Sequence, residues 1–457
     1  MSKQQRLILV ISILASFVAF LDGSVVNVAL PAISRDLGGG LAAQQWIVDA
    51  YLITLGSLIL IAGSLSDLFG RKKILVAGLA GFAAASVLCA IAPTSTFLIL
   101  ARGLQGIAGA LLVPSSLAII ISTFSGTAQA KAIGTWTAWT GISFIIGPLV
   151  GGMLVDSASW RLIFAINLIP IALTLYLLTL VHPAEQIKNT TKVDVVGAIL
   201  CALGLGGPVF ALIEQPNYGW SSPNIYLPLA LGLLVLAGYI RYEAKSSHPM
   251  LPLSLFKRRN FSVGNVATTA IYGGLSISTF LIVIFLQQVA GYSALQAGLA
   301  LLPVTIIMFL LSPRFGALAG KLGPRLFMAA GPLVAAGGFF LMLRVQQQVA
   351  YVGELLPGVV VFGLGLSMTV APLTAAILGD VDTRNAGMAS AINNAVARIA
   401  GLVAIAVIGV VTGPHLDTAG FHRAIIVTAL LMFVGGCISA IGIQNKRKPV
   451  EAPVPTV

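Results

Sequence analysis

The sequence predicts an all-α polytopic membrane protein with fourteen transmembrane helices, and three observations predict it. Hydrophobic residues make up 58% of the 457-residue chain and charged residues only 9%, against about 25% charged in a soluble domain. Apolar runs of about 20 residues, each long enough to cross ~30 Å of hydrocarbon, recur from Leu7 to Ile443. Lysine and arginine collect in alternate loops between these runs, the bias that orients membrane helices.

The runs place helices at 7–31, 44–65, 74–92, 97–122, 131–155, 162–181 and 194–213, then at 225–242, 262–289, 297–319, 326–343, 352–378, 386–411 and 423–443. The first follows MSKQQR and is too long for the apolar core of a secretory signal, so it is expected as an uncleaved helix. An even number of spans puts both termini on one side. With the termini cytoplasmic, 20 of the 26 basic residues lie on that side, and only Arg35, Arg161, Arg344 and Arg423 lie outside. Arg102 and Arg398 remain inside spans. The net charge of +12 is therefore a topology signal, and no nucleic-acid partner is expected.

Polar interruptions divide the chain. The stretch 241-RYEAKSSHPMLPLSLFKRRN-260 is the longest, and 182-HPAEQIKNTTKVD-194 is a shorter one. They delimit an N-terminal six-helix bundle (1–181), an inserted helix pair (194–242), a cytoplasmic linker (243–260), a second six-helix bundle (262–443) and a cytoplasmic tail (444–457). The two bundles echo each other: Gly63, Gly70 and Gly134 map onto Gly316, Gly323 and Gly387 with one shared offset of 253 residues. Duplicated bundles with a binding site between them are a common transporter plan. The echo fails where charge is concerned. Asp67 becomes Gly320, Asp22 aligns with an apolar stretch near Leu275, and the acids within predicted spans, Asp22 and Asp49, lie in the first half. Cys89, Cys201 and Cys437 fall in apolar runs and the four histidines form no cluster, so no metal site is expected.

Four stretches carry the chemistry. In 18-VAFLDGSVVNVALPAI-33, Asp22 stands in an apolar run with no basic neighbour. In 63-GSLSDLFGRKK-73, Gly63 is expected to let helices approach and Gly70 to supply a tight turn, with Asp67 and the cluster from Arg71 able to pair across it. In 98-LILARGLQGIAGALLVP-114, Arg102 lies within a span, where a charge faces protein or a wet cavity; Gly103, Gly106 and Gly109 permit close packing. Structural pairing with the first helix and proton handling both suit Arg102. In 141-GISFIIGPLVGG-152, Gly141, Gly147, Pro148, Gly151 and Gly152 combine a bent helix with close neighbours.

With these motifs in order, together with 21-LDGSVVNVALP-31, the chain resembles the major facilitator superfamily, and within it the fourteen-helix drug:proton antiporters. The resemblance extends along the whole chain, including the inserted pair and its 213-IEQPNYGW-220 loop. It implies a bacterial cytoplasmic-membrane exporter, not an enzyme, that exchanges a lipophilic, cationic or neutral drug for protons. It implies no cofactor beyond the proton gradient, and one chain able to work as a monomer. Related families carry extra acids in helices 10 and 13; this sequence instead offers 393-NNAVAR-398, which makes divalent cations doubtful and leaves monovalent cations, neutral compounds or an anion open.

A charge at mid-span costs roughly 2.5–3.5 kcal/mol, and an acid lowers that cost by binding a proton. Asp22 and Asp49, at similar depth to Arg102, are thus the proton-coupling candidates, one titrating while the other stays paired. Asn27, Tyr51, Trp136, Trp139, Gln287, Asn393, Asn394 and Arg398 are candidate cavity residues. Tyr272 and Met308 are softer ones, and Trp136, Trp139 and Ser143 share a helix face. The competing readings are a non-drug metabolite exporter and a non-transporting sensor. A primary pump is disfavoured because no GxxxxGK[ST] loop occurs.

Overall fold

A computed structural model describes residues 1–181, 193–246, 249–379, 381 and 386–445; the side chains of Asp67, Thr127, Ala130 and Ala386 lie outside the described residues. So do most of the 182–194 connection and of the 444–457 tail. Among the described residues fourteen helices are long and apolar enough to cross a membrane. They are α1 (Lys3–Leu37), α2 (Gly40–Ser66, continuing to Phe69), α3 (Arg71–Ala90), α4 (Ser95–Thr123), α5 (Lys131–Ser157), α6 (Leu162–Thr179) and α7 (Val195–Tyr218). The rest are α8 (Pro223–Lys245), α9 (Arg259–Gln288), α10 (Ala294–Leu322), α11 (Pro324–Arg344), α12 (Tyr351–Gly379), α13 (Gly387–Thr412) and α14 (Thr418–Gly442).

Each overlaps one predicted run, and the differences have local causes. α1 begins before its first apolar residue because Ser2 and Gln5 form a capping box, which satisfies otherwise orphaned amides. α7 absorbs the expected 213–220 loop as far as Tyr218: Glu214 accepts a hydrogen bond from the Trp46 indole (2.9 Å) and another from Asn217 (3.0 Å). Pro216 falls in the last turn, so its missing amide removes a hydrogen bond at the end of the helix and leaves the middle intact. α6 is interrupted at Ile166–Asn167, a break that becomes important below.

The same packing pattern occurs twice. In the first bundle α1 packs on α5, α2 on α4 and α3 on α4; in the second α9 packs on α13, α10 on α12 and α11 on α12. Gly70 and Gly323 turn the chain with φ of +95° and +91°, a region open to glycine without strain. The turns are also anchored alike. Lys72 donates to the Val181 carbonyl just beyond α6 (2.9 Å), and Arg325 donates to the Ala440 carbonyl of α14 (2.8 Å). α7 packs between α2 and α13, while α8 packs chiefly on α7.

The halves meet along α2–α13, α5–α10 and α1–α9. α1 starts, and α14 ends, at one end of the molecule, the terminal side; the opposite end is the far side. The cross-half hydrogen bonds gather toward the far side. The Asp156 carboxylate accepts from the Ala294 and Leu295 amides at the start of α10 (3.0 and 2.8 Å). Gln45 Nε2 donates to the Ile405 and Ala406 carbonyls (2.5 and 3.2 Å), and Gln287 Nε2 to the Val28 carbonyl (2.9 Å). Glycine makes the α5–α10 seam tight: a methyl group on Gly152 would stand 2.8 Å from the Leu295 nitrogen, and one on Gly298 2.7 Å from the Pro148 oxygen. Toward the terminal side, a methyl on Gly63, Gly134 or Gly387 would meet nothing within 4 Å. The halves are joined on the far side, and these three glycines toward the other end have no close neighbour.

Candidate functional site

Asp22 is fully buried, its partners come from two other helices, and a third supports them. From α4, Arg102 Nη1 donates to Asp22 Oδ2 (2.5 Å) and Gln105 Nε2 donates to Oδ1 (2.9 Å). From α6, Asn167 Nδ2 donates to the same Oδ1 (3.0 Å). From α3, Ser86 Oγ accepts from Gln105 (3.0 Å), and the Cys89 thiol donates to Gln105 Oε1 at 3.6 Å. Arg102 is 1% exposed and also donates from Nε to the Ile47 carbonyl of α2 (3.1 Å), with its guanidinium 4.3 Å from the centre of the Tyr51 ring. A buried ion pair survives desolvation only when further hydrogen bonds satisfy both partners, and here the amides of Gln105 and Asn167 supply them.

Local sequence explains the positions. Arg102 and Gln105 are one turn apart and share a face of α4. Gly106 and Gly109 let that face press on α2: a side chain on Gly106 would collide with the Tyr51 carbonyl and Thr54, and one on Gly109 would stand 3.1 Å from the Tyr51 hydroxyl. Gly103 has no such neighbour, so two glycines of the three do the packing. Asn167 sits in the break of α6, and the shifted backbone presents its amide to α1. Ser86, Gln105 and Asn167 were not anticipated. A lone amide in the run 162-LIFAINLIPIALTLYLLTLV-181 was the available signal for Asn167.

Asp49 is buried at a similar depth but is not part of this network. Arg102 meets α2 at Ile47 and Tyr51; Asp49 is two residues from each, about 200° around the helix. Both its carboxylate oxygens are buried without a hydrogen-bond partner, as are both polar atoms of the Gln44 side chain. It shares its face with Gln45, one turn away, which holds α13. Of the two acids expected at similar depth to Arg102, Asp22 is paired with it and Asp49 is solitary, on the opposite face of α2.

The helix 5 motif divides its labour. Gly147 and Gly151 pack on Ser24 and Val25 of α1, and Ser24 Oγ donates to the Ser143 carbonyl (3.1 Å). Pro148 and Gly152 meet α10 of the other half, while Gly141 has open space. At the α2–α3 turn Gly70 has the expected glycine conformation. Gly63, expected as a close-approach site, has none here, Arg71 opens α3, and the Asp67 side chain lies outside the described residues.

The cavity candidates separate as well. Tyr51 is buried against Arg102, and Trp136 Nε1 donates to Ser16 of α1 (3.0 Å). Trp139 is exposed, so the expected shared face with Trp136 and Ser143 does not form one surface. Gln287 is used in the far-side seam. Asn393 donates to Asn265 and Thr268 of α9 (3.1 and 2.9 Å), inside its own bundle. Asn27 is half-buried on the α1 face that carries Phe20, seven residues earlier. Asn394 is exposed and Arg398 half-buried on one face of α13. Tyr272 and Met308 are half-buried. Among the described residues no group of three or more His, Cys, Asp or Glu is placed to hold a metal ion.

A family model described as Major Facilitator Superfamily matches residues 12–405. The chain is 34% identical over 433 residues to the multidrug resistance protein Stp of Mycobacterium tuberculosis, covering 92% of this chain and 79% of that protein. It is 34% identical to a probable actinorhodin transporter of Streptomyces coelicolor (86% and 70% covered) and 32% identical to the multidrug transporter MdtP of Bacillus subtilis (90% and 76%). Among solved structures, the inward-open xylose transporter XylE from E. coli superposes with a TM-score of 0.68 at 14% identity, covering 97% of both chains. An inward-facing bacterial homologue of the lysosomal transporter Spinster superposes with a TM-score of 0.70 at 13% identity, covering 96% and 97%. The fourteen-helix protein with the buried Asp22–Arg102 pair is thus a multi-pass membrane transporter, and it belongs to the Major Facilitator Superfamily.

Proposed function

We propose that this protein exports lipophilic drug-like compounds across the bacterial cytoplasmic membrane in exchange for protons, and that Asp49 carries the proton. Its termini are cytoplasmic in this reading, so the terminal side faces the cytoplasm and the far side the exterior. One chain contains both bundles and works as a monomer, with the proton gradient as its energy source and no bound cofactor. The names of relatives at 32–34% identity, multidrug resistance protein Stp and multidrug transporter MdtP, support the export of drugs.

The contrast between the two acids carries the proton assignment. Asp22 has a cation and two amides around it, so its charged form is satisfied in this conformation. Asp49 has no partner at either oxygen, and an isolated carboxylate in a dry interior is far costlier than the neutral acid. The exterior gate is held by Gln45 on α13, one turn from Asp49. Opening the exterior side breaks that contact and admits water to the carboxyl. Closing it again over a charged Asp49 is penalised, so the outward-to-inward return favours the proton-loaded form. The proton leaves toward the cytoplasm only once water reaches Asp49 from that side, and drug enters from there. Each proton moving inward supplies ~2.3 kcal/mol per 100 mV in addition to its pH term.

Inverted vesicles loaded by a pH gradient test this. Asp49→Asn mimics the protonated acid permanently, so gradient-driven dye accumulation is expected to fall to the level of vesicles without transporter, while downhill dye exchange persists. Accumulation at the wild-type level in Asp49→Asn at matched expression would remove Asp49 from the coupling.

A further inference from the structure

We infer that the substrate is a flat aromatic anion, a phenolate or carboxylate, and that Arg398 of α13 binds its charge; this rests on the export reading above and names the class of compound exported. Arg398 is a half-buried cation inside a span. Its surroundings include the first half. The guanidinium lies 5.8 Å from the Phe20 ring of α1, and a methyl on Gly56 of α2 would stand 3.8 Å from its Cβ. A group on α13 this near α1 and α2 lies between the bundles at mid-depth. One turn toward the terminal side on the same face, Asn394 is exposed, so the space beside Arg398 opens toward that side.

No described carboxylate or carbonyl hydrogen-bonds this guanidinium. The two acids of the predicted spans are committed or remote. Asp22 is held by Arg102. Asp49 lies seven residues, about 10 Å along α2, from the Gly56 that Arg398 meets. A charge inside a span without a partner marks a substrate or ion pathway, and a guanidinium recognises carboxylates and similar anions through paired N–H donors. Aromatic walls complete the site: Phe20 and Phe144 are paired at 6.0 Å, and Phe144 is 50% exposed. A bound anion finds one positive charge opposite rings. A bound cation finds the same positive charge and no described acid to offset it.

Two xanthene dyes of one ring system and opposite charge decide the matter, fluorescein as the anion and rhodamine 6G as the cation. With purified full-length protein in detergent, fluorescence polarisation is expected to show fluorescein binding roughly ten- to a hundredfold tighter, the span of one charge-assisted hydrogen bond. Arg398→Gln is expected to abolish that preference and Arg398→Lys to retain part of it. Equal affinity, tighter rhodamine 6G binding or binding of neither dye by the wild type overturns the assignment, as does an unchanged preference in a monodisperse Arg398→Gln protein. Gradient-driven uptake in inverted vesicles separates the two readings. Rhodamine 6G preference with proton-driven uptake removes the anion and keeps the antiport, whereas fluorescein preference without a gradient response does the reverse.

Discussion

At the terminal-side end of α2 the chain turns at Gly70 with φ +95°, and 253 residues later it turns at Gly323 with φ +91°. Each turn is tied to the end of its bundle's sixth helix, and the helices around it pack in the same pairs. The interiors of the two bundles differ. The first holds an ion pair wrapped in amides, Asp22–Arg102 with Gln105 and Asn167. The second holds a neutral group in which Asn393 bonds Asn265 and Thr268 between α13 and α9. Duplication has kept the turns and the packing pairs, while the acids of the predicted spans are concentrated in one bundle. A coupled transporter gains from that division, because one half can titrate while the other presents a constant surface to substrate.

The largest expected effect strikes the charged bundle. Arg102→Ala strands a buried carboxylate, and breaking such a pair costs about 3–5 kcal/mol. Asn393→Ala in the second bundle removes neutral hydrogen bonds and is expected to cost about 1–3 kcal/mol. Chemical unfolding of the two variants in one detergent compares them; equal losses would show that the first bundle does not depend on its ion pair. The shared turns come next. Gly70→Ala and Gly323→Ala each force a side chain into a backbone region nearly reserved for glycine, at about 1–3 kcal/mol. Unfolding measurements that agree for the two positions support equivalent hinges, and a clear inequality breaks the equivalence.

The sequence made the helices legible because their apolar length is set by the bilayer, and it revealed the repeat because turn glycines cannot be replaced cheaply. Asp22 and Arg102 were legible for the same reason: charge in a span is expensive and stands out. Their neighbours were harder to read. Gln105 and Asn167 become partners only through the α4–α2 glycine contact and the break in α6, neither of which spacing encodes. Spacing placed Asp49 at the depth of Arg102 but left open which acid the arginine holds, because that depends on azimuth around α2. The expected 213–220 loop was helix because Trp46, 168 residues away, holds Glu214. Gly63 was assigned a close contact that this conformation does not make.

The far-side seam offers a smaller test of how the bundles are joined. Asp156 accepts two backbone amides at the N-terminus of α10, where a carboxylate also meets the positive end of the helix dipole. Asp156→Ala is expected to weaken closure by about 0.5–2 kcal/mol. An impermeant maleimide, applied from the far side to a cysteine placed at Asn27, is expected to react several-fold faster in that background. An unchanged rate would mean that Gln45 and Gln287 hold the seam without Asp156.

The smallest effect concerns Gly63 and its counterpart Gly316, and it has the opposite sign. A methyl group at Gly63 meets nothing within 4 Å, whereas one at Gly316 stands 3.2 Å from Ala371. Alanine in a helix interior is favoured over glycine by about 0.5–1 kcal/mol. Gly63→Ala should therefore stabilise this conformation slightly, and Gly316→Ala should gain less because Ala371 must yield. If closure of the terminal side brings Gly63 against another helix, the same substitution penalises the opposite conformation. The expected result is a small gain in unfolding free energy together with slower turnover in vesicles. Unaltered turnover in Gly63→Ala would mean that the glycine has no closing contact to make in either state, and that the two halves are less alike in their motion than in their turns.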